Sequence, residues 1–372
     1  MARYHVAVVK CDSYERVSEA FAELREKAHL SGFESRVSGK KVLVKPNMLG
    51  MYKPEQGVAT HPELVRAVVR WLRSAGAEVT VGDNCGLGGY GLNEKSSRIT
   101  GIAEASEGAF INVAKDVVEK EIDSRFFSKL VVSRPMLEAD LIVNLAKLKT
   151  HSLTLVTLGI KNMFGILAGG SKSKVHNSAP RVEEFGEALS DIYRLRPPEL
   201  TIIDGVVGMD GNGPTNMGRL RKFGMLVASE NAPAADLAVL RMAGIEPQMV
   251  HHLRVTAERG LGPKNFSEIE IEGAAEPIKR FKPPATLARR GLVGFLVNRY
   301  FYRRVIESRL ALDRKKCTGD KLCVKACPSG AMSMRGEYPE IDYAKCIRCM
   351  CCFELCPEGA WKVKGMLSRF TG

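Results

Sequence analysis

Eight cysteines crowd between residues 317 and 356, spaced as metal ligands are spaced rather than scattered. CTGDKLCVKACP, residues 317–328, departs at one position from the run C-x2-C-x2-C-x3-C-P that wraps iron–sulfur clusters. Cys317, Cys323, Cys327 and Pro328 stand in their places, and Asp320 takes the second ligand position. The pattern returns 29 residues later as Cys346, Cys349, Cys352, Cys356 and Pro357, every spacing preserved and Asp320 aligned with Cys349. Soft, anionic thiolates bond strongly to iron, and a cubane normally takes four. Zinc also accepts four-cysteine sites, but it explains neither the doubled spacing nor the two Cys-Pro endings. Asp320 has three readings: a carboxylate ligand to the fourth iron, a missing iron that leaves a three-iron cluster, or an iron with an exchangeable ligand. All three predict two unequal clusters. Cys351 and Cys11 are read as packed thiols.

A second concentration of chemistry is NLAKLKTHSLTLVTLGIKNMFGIL, residues 144–167. It sets Lys147, Lys149, His151, Lys161 and Asn162 among apolar residues, directly after an apolar run. Together the lysines read as an anion site, with phosphate or carboxylate as the natural partner. His151 is a candidate for proton transfer or metal ligation, because the ordinary titration range of an imidazole lies near neutrality. Lys149, His151 and Lys161 are the candidate catalytic residues. SKSKVHN (171–177) reads as a polar loop carrying Lys172, Lys174 and His176. DGVVGMDGNGPTNMG (204–218) reads as a glycine-rich loop with Asp204, Asp210, Asn212 and Asn216. Such glycines let backbone amides approach a phosphate, and the carboxylates suit a cation. GDNCGLGGYG (82–91) is similarly permissive but lacks the spacing of a dinucleotide fingerprint.

These residues need a frame, and the hydrophobic pattern of residues 1–278 supplies one. Strands are expected at HVAVV (5–9), KVLVK (41–45), EVTVGD (78–83), DLIVNL (140–145), LTIID (200–204) and MLVAS (225–229). HPELVRAVVRWLRSAGA reads as an amphipathic helix, with Pro62 early and Gly76 near its end. The alternation predicts an α/β fold, a largely parallel sheet with helices on both faces. Ligands of such sheets bind beyond the carboxyl ends of the strands. Those ends carry Lys45 and Asn47, Asp83, then Lys147, Lys149 and His151, then Asp204. Residues 279–312 read as a basic, partly helical connector and residues 313–372 as a small α+β iron–sulfur domain.

The C-terminal repeat resembles the bacterial two-cluster ferredoxins. That resemblance implies one cluster on Cys327, Cys346, Cys349 and Cys352, and a second on Cys317, Cys323 and Cys356 with Asp320 at the fourth corner. The cofactors expected are therefore one [4Fe-4S] cluster and one that is [4Fe-4S] with an Asp or exchangeable ligand, or [3Fe-4S]. KPNMLG, THPELVRAVV, VGDNCG, the lysine-rich string, VHNSAP and DGVVGMDGNGP resemble the landmarks of the family catalogued as domain of unknown function 362. Its members are often fused to a two-cluster ferredoxin, and the family has no established general activity. THPELVRAVVRWLRSAGAEVTVGD is more distantly similar to the amino-terminal domain of nickel-pincer lactate racemases. This likeness implies that His61, Lys149, His151 and His176 gather at one crevice. The substrate-binding candidates are Lys45, Asn47, His61, Asp83, Lys147, Asn162, His176, Asp204 and Asp210.

Composition narrows the classes. The 372 residues are 45% hydrophobic, enough for a sizeable core in more than one domain. No run approaches the roughly 20 apolar residues of a membrane span. MARYHVAVVKCDSYE reads as a first strand in a cytoplasmic protein, not as a leader. Of the net charge of +13, most lies between Lys279 and Lys316, where 12 Lys and Arg face Glu307 and Asp313. A basic connector argues against nucleic-acid binding, which wants a basic face on a folded domain. Along 286–306 the arginines and apolar residues scatter around the helix axis, so burial is favoured over peripheral membrane contact. The leading expectation is an iron–sulfur oxidoreductase with an anionic small-molecule ligand and a redox partner protein. The alternatives are a non-catalytic electron carrier or docking protein, and a lactate-racemase-like metal-dependent enzyme.

Overall fold

The computed structural model describes residues 3–86, 92–151, 153–215, 218–284, 309–325, 327, 329–346, 351–354, 356 and 358–364. In chain order the α/β part contains strands β1 (Tyr4–Lys10), β2 (Lys41–Lys45), β3 (Glu78–Val81), β4 (Val117–Glu121) and β5 (Lys129–Ser133). It continues with β6 (Leu141–His151), β7 (Leu155–Val156), β8 (Leu200–Gly211), β9 (Gly218–Ser229) and β10 (Ile269–Gly273). The main sheet has the order β10-β1-β9-β8-β6-β2-β3, with β7 beside β6. Along that path only β9 is antiparallel to its neighbours, β1 and β8. The other pairings are parallel, so the fold is α/β with a largely parallel sheet.

Alternation along β1 shows why both faces are covered. Ala7 and Val9 enter one core and Val6 and Val8 the other, as expected for a strand buried on both sides. Helices Val17–Lys27, Ser31–Val37 and Pro62–Ser74 close the first face, burying Phe21, Phe33, Leu64 and Leu72. Helices Ala232–Ala243 and His251–Glu258 close the second with Leu237, Leu240 and Leu253. A third core forms between the β4–β5 hairpin and helices Ser171–Ser178 and Val182–Leu195, through Val132, Val175, Phe185 and Leu189.

Several boundaries differ from expectation. The strand expected to end at Leu145 continues to His151, so Lys147 and Lys149 lie within β6 rather than after it. The glycine-rich stretch from Asp204 is strand as far as Gly211, not loop. At Gly208 a Cβ would collide with the Leu148 carbonyl on the adjacent strand. SKSKVHN belongs to the helix Ser171–Ser178, not to a polar loop. Strands β4 and β10 carry mostly polar, part-exposed residues and give no strong apolar run in the sequence.

The C-terminal part is small and α+β. Strand β11 (Arg309–Leu312) pairs with β14 (Trp361–Lys364), and β12 (Met332–Arg335) with β13 (Tyr338–Ile341). Helical turns at Leu322–Lys325 and Cys351–Glu354 complete it, and Cys323, Met332, Phe353 and Trp361 make its core. The connector segment 286–306 and residues 87–91 lie outside the described residues, as do Asn216, Cys349 and the side chain of Cys351. Among the described residues no helix is long and apolar enough to cross a membrane.

Candidate functional site

At the carboxyl ends of β2, β3 and β6 the chain encloses a solvent-open cleft with about 690 Å³ of empty space. Seven of the candidate site residues line it: Asn47, Asp83, Lys149, His151, Lys161, Asn162 and His176. Asn84 and Lys172 join them, with Phe164 and Leu49 as apolar wall. The charged lining residues are Lys149, Lys161 and Lys172 against Asp83. That carboxylate is already ion-paired at 2.7 Å with Lys45, which lies buried beneath the lining. Burial drives the Lys45 ammonium below its usual range, and the Asp83 charge opposes that shift.

The lysines are held, not dangling. Lys149 Nζ donates to Asn47 Oδ1 at 2.8 Å and to the Val58 carbonyl at 2.7 Å. Lys172 Nζ donates to the carbonyls of Asn84 and Cys85, both at 2.6 Å. Desolvation pushes Lys172 down to about 8. Lys161 sits with its ammonium 5.2 Å from the centre of the Phe164 ring, in cation–π range. Lys174 stays out of the lining and donates to the Lys129 carbonyl at 2.8 Å. Asn162 is the junction of the floor: its amide donates to Asn144 Oδ1 at 2.7 Å, and its Oδ1 accepts from Asn47 at 3.0 Å. Gly165 passes so close to the Lys45–Asp83 pair that a Cβ would lie 2.7 Å from Lys45 Nζ and strike the Asp83 carboxylate.

Two histidines face this cation-rich space. His151 Nδ1 accepts from the amides of Leu153 at 3.1 Å and Thr154 at 3.2 Å, which fixes the neutral ring's proton on Nε2. His176 stacks on Phe185, ring centres 4.5 Å apart. The backbone around these groups is strained. Leu49, Leu155 and Leu158 have φ of 51°, 69° and 43°, a left-handed conformation that costs an ordinary residue roughly 1–2 kcal/mol. Nothing in the sequence announces those three leucines.

Four expected residues stand elsewhere. Lys147, Asp204 and His61 form a second, buried network centred on Tyr14. Lys147 Nζ reaches Asp204 Oδ2 and Tyr14 Oη, both at 2.8 Å, and the Tyr14 hydroxyl donates to Asp204 Oδ1 at 2.9 Å. His61 caps helix Pro62–Ser74, accepting from Glu63 N at 3.3 Å, and its ring stacks on Tyr14 at 3.5 Å. Burial depresses His61 to about 4. The separation of Lys147 from Lys149 has a backbone cause: a register shift in the β6–β8 ladder places Lys147 opposite Asp204 but Lys149 opposite Met209. Asp210 instead accepts from Arg219 at 2.8 and 2.6 Å and from Arg221 at 2.9 Å. It also takes the Lys282 amide at 3.1 Å, so it fastens the start of the connector.

In the C-terminal part Cys317, Asp320, Cys323 and Cys356 line one small pocket. Three thiols and a carboxylate around a single cavity fit the donor set of a cluster with one unusual corner. Asp320 Oδ1 accepts from the Leu322 amide at 2.9 Å, which orients the carboxylate. Cys327 and Cys352 pack against the same small core as Cys323 and Cys356. Cys346 is half-buried, and Cys349, the fourth member of its set, lies outside the described residues.

The family model for a domain of unknown function, DUF362, matches residues 42–241, and that for a 4Fe-4S dicluster domain matches residues 309–357. A relative, Thylakoid-associated protein sll1697 from Synechocystis sp. (strain ATCC 27184 / PCC 6803 / Kazusa), is 32% identical over 268 residues, 69% of this chain and 80% of that protein. Among solved structures, lactate racemase apoprotein from Thermoanaerobacterium thermosaccharolyticum aligns at a TM-score of 0.39 and 12% identity, covering 59% of this chain and 54% of its own. A protein from Thermotoga maritima aligns at 0.38 and 13%, covering 67% and 60%. This chain thus spans less than two thirds of either solved chain.

Proposed function

As the chain belongs to the DUF362 family and carries a 4Fe-4S dicluster domain, we propose that this iron–sulfur protein is an oxidoreductase acting on an anionic small molecule in the cleft. The observation that carries the reading is the covalent union of that domain with a cleft whose charged lining is three lysines against one ion-paired carboxylate. Iron–sulfur clusters, when bound, supply one-electron transfer. Cys327, Cys346, Cys349 and Cys352 would hold a [4Fe-4S] cluster. Cys317, Cys323 and Cys356 would hold the other, with Asp320 at its fourth corner. Lys149, Lys161 and Lys172 bind and orient the anion, Asn47 and Asn162 fix Lys149, and His151 presents an Nε2 proton at the cleft wall. A redox partner protein completes the electron path. The 12 basic residues between Lys279 and Lys316 favour an acidic one.

The test is anaerobic purification of the full chain, followed by mass spectrometry of the small molecules released on denaturation. The expected result is a stoichiometric anion that is absent from the doubly substituted Lys149→Met, Lys161→Met chain. Recovery of the same molecules from both chains would sink the reading.

A further inference from the structure

Away from the cleft, three groups that play no part in it converge. His5 lies at the start of β1, Glu272 on β10, and His29 just beyond the helix Val17–Lys27. Their ligand atoms all lie within 4.8 Å of one another. Both His5 Nε2 and His29 Nε2 stand 3.3 Å from the same oxygen, Glu272 Oε2. That separation is itself informative. Zinc binds nitrogen and oxygen at about 2.0–2.1 Å in a tetrahedron, so two of its ligand atoms lie about 3.3–3.4 Å apart. Two edges of such a tetrahedron are therefore already set.

The ladder brings the residues to this point, at some cost to the backbone. Glu272 stands opposite Ala7 in the parallel β1–β10 pairing, and Glu270 opposite His5. With a period of two, His5, Glu270 and Glu272 share one face, the face covered by the helix that ends at Lys27. His29 then turns the chain with φ of 53°. Its amide reaches the Glu26 carbonyl at 3.0 Å, and the next amide reaches the Arg25 carbonyl at 2.9 Å. This is the helix-ending position where glycine is preferred. A histidine there carries a steric penalty that glycine would not, so what calls for explanation is its side chain. An ordinary surface ion pair contributes little and needs only one imidazole. Two imidazoles on one carboxylate oxygen are a ligand set.

We propose that His5, His29 and Glu272 bind a divalent transition-metal ion of the zinc class, with solvent completing the tetrahedron. Two imidazoles and a carboxylate suit zinc, and the exposure of His29, 70% at its side chain, leaves the remaining position open to water. The ion would tie the last strand of the α/β domain and the end of the first long helix to β1.

The test uses the full chain with its clusters in place and no polyhistidine tag, exposed to zinc ion alone and then desalted. The wild-type chain should retain one zinc more than the His29→Gly chain. Its zinc absorption edge should report two imidazoles and an oxygen at about 2.0–2.1 Å. His29→Gly should weaken zinc binding by about 100-fold or more, since even an outer-sphere partner can be worth that factor. Because glycine adopts this φ without strain, the metal-free variant should melt no lower than wild type. Added zinc should raise the melting temperature of the wild-type chain only. Glu272→Gln should also bind more weakly, by about tenfold or more. Equal zinc affinity in wild type and His29→Gly, or an edge spectrum showing sulfur ligands alone, would overturn the proposal.

Discussion

Lys172 is a buried cation in the cleft lining. Burial lowers its pKa from 10.5 to about 8, so the protonated, anion-binding form prevails below that value. Sulfate keeps the same charge across this range and isolates the effect. Its dissociation constant should rise as pH climbs through 8, by up to about tenfold per unit, and Lys172→Met should flatten the profile. The linked stability runs the other way. Between about 8 and 10.5 the unfolded chain binds more protons at this lysine than the folded one, so this group's contribution to stability rises with pH. In the C-terminal part, Asp320 shares its cavity with Cys317, Cys323 and Cys356. Asp320→Cys should alter one cluster's electron paramagnetic resonance spectrum and leave the other's unchanged; two unchanged spectra would make Asp320 a bystander.

At the scale of elements, the short helix Leu158–Asn162 delivers Lys161 and Asn162 to the cleft, and Asp236 secures it. Asp236 accepts from Gly159 N at 2.6 Å and Ile160 N at 3.0 Å from a fully buried position that lifts it to about 7. Asp236→Ala would strand two buried amides, for about 2–4 kcal/mol of stability. It should also weaken sulfate binding, measured beside thermal unfolding. Much of this frame was legible beforehand, because the strands of a doubly covered sheet are nearly continuous apolar runs and their carboxyl ends carry polar residues. What stayed hidden has physical causes. Period-two alternation puts Lys147 and Lys149 on one face, but the register shift between them sends Lys147 to Asp204. In Asp204–Gly211 neighbouring chain approaches Gly205 and Gly208 so closely that a side chain would not fit there. The pairing of Asp210 with Arg219 and Arg221 depends on the β8–β9 hairpin, which no local pattern encodes.

The whole molecule joins two kinds of chemistry through one basic segment. Arg221 grips the Arg280 carbonyl at 2.9 Å, and the Gly211 amide donates to the Lys282 carbonyl at 2.6 Å, so the connector begins firmly seated on β8 and β9. The central claim is that electrons pass between the dicluster domain and an anion in the cleft. Its most direct test is to reduce the full chain anaerobically with dithionite, remove the excess, and add the anion released from the native protein. The iron–sulfur absorbance is followed while the anion is analysed by mass spectrometry. The same mixing with oxidised chain covers the opposite direction of flow. In one of the two directions the absorbance should change as the anion's oxidation state changes in proportion, and the Lys149→Met, Lys161→Met chain should show neither. Absorbance that stays constant in both directions while the anion is recovered unaltered would contradict the account.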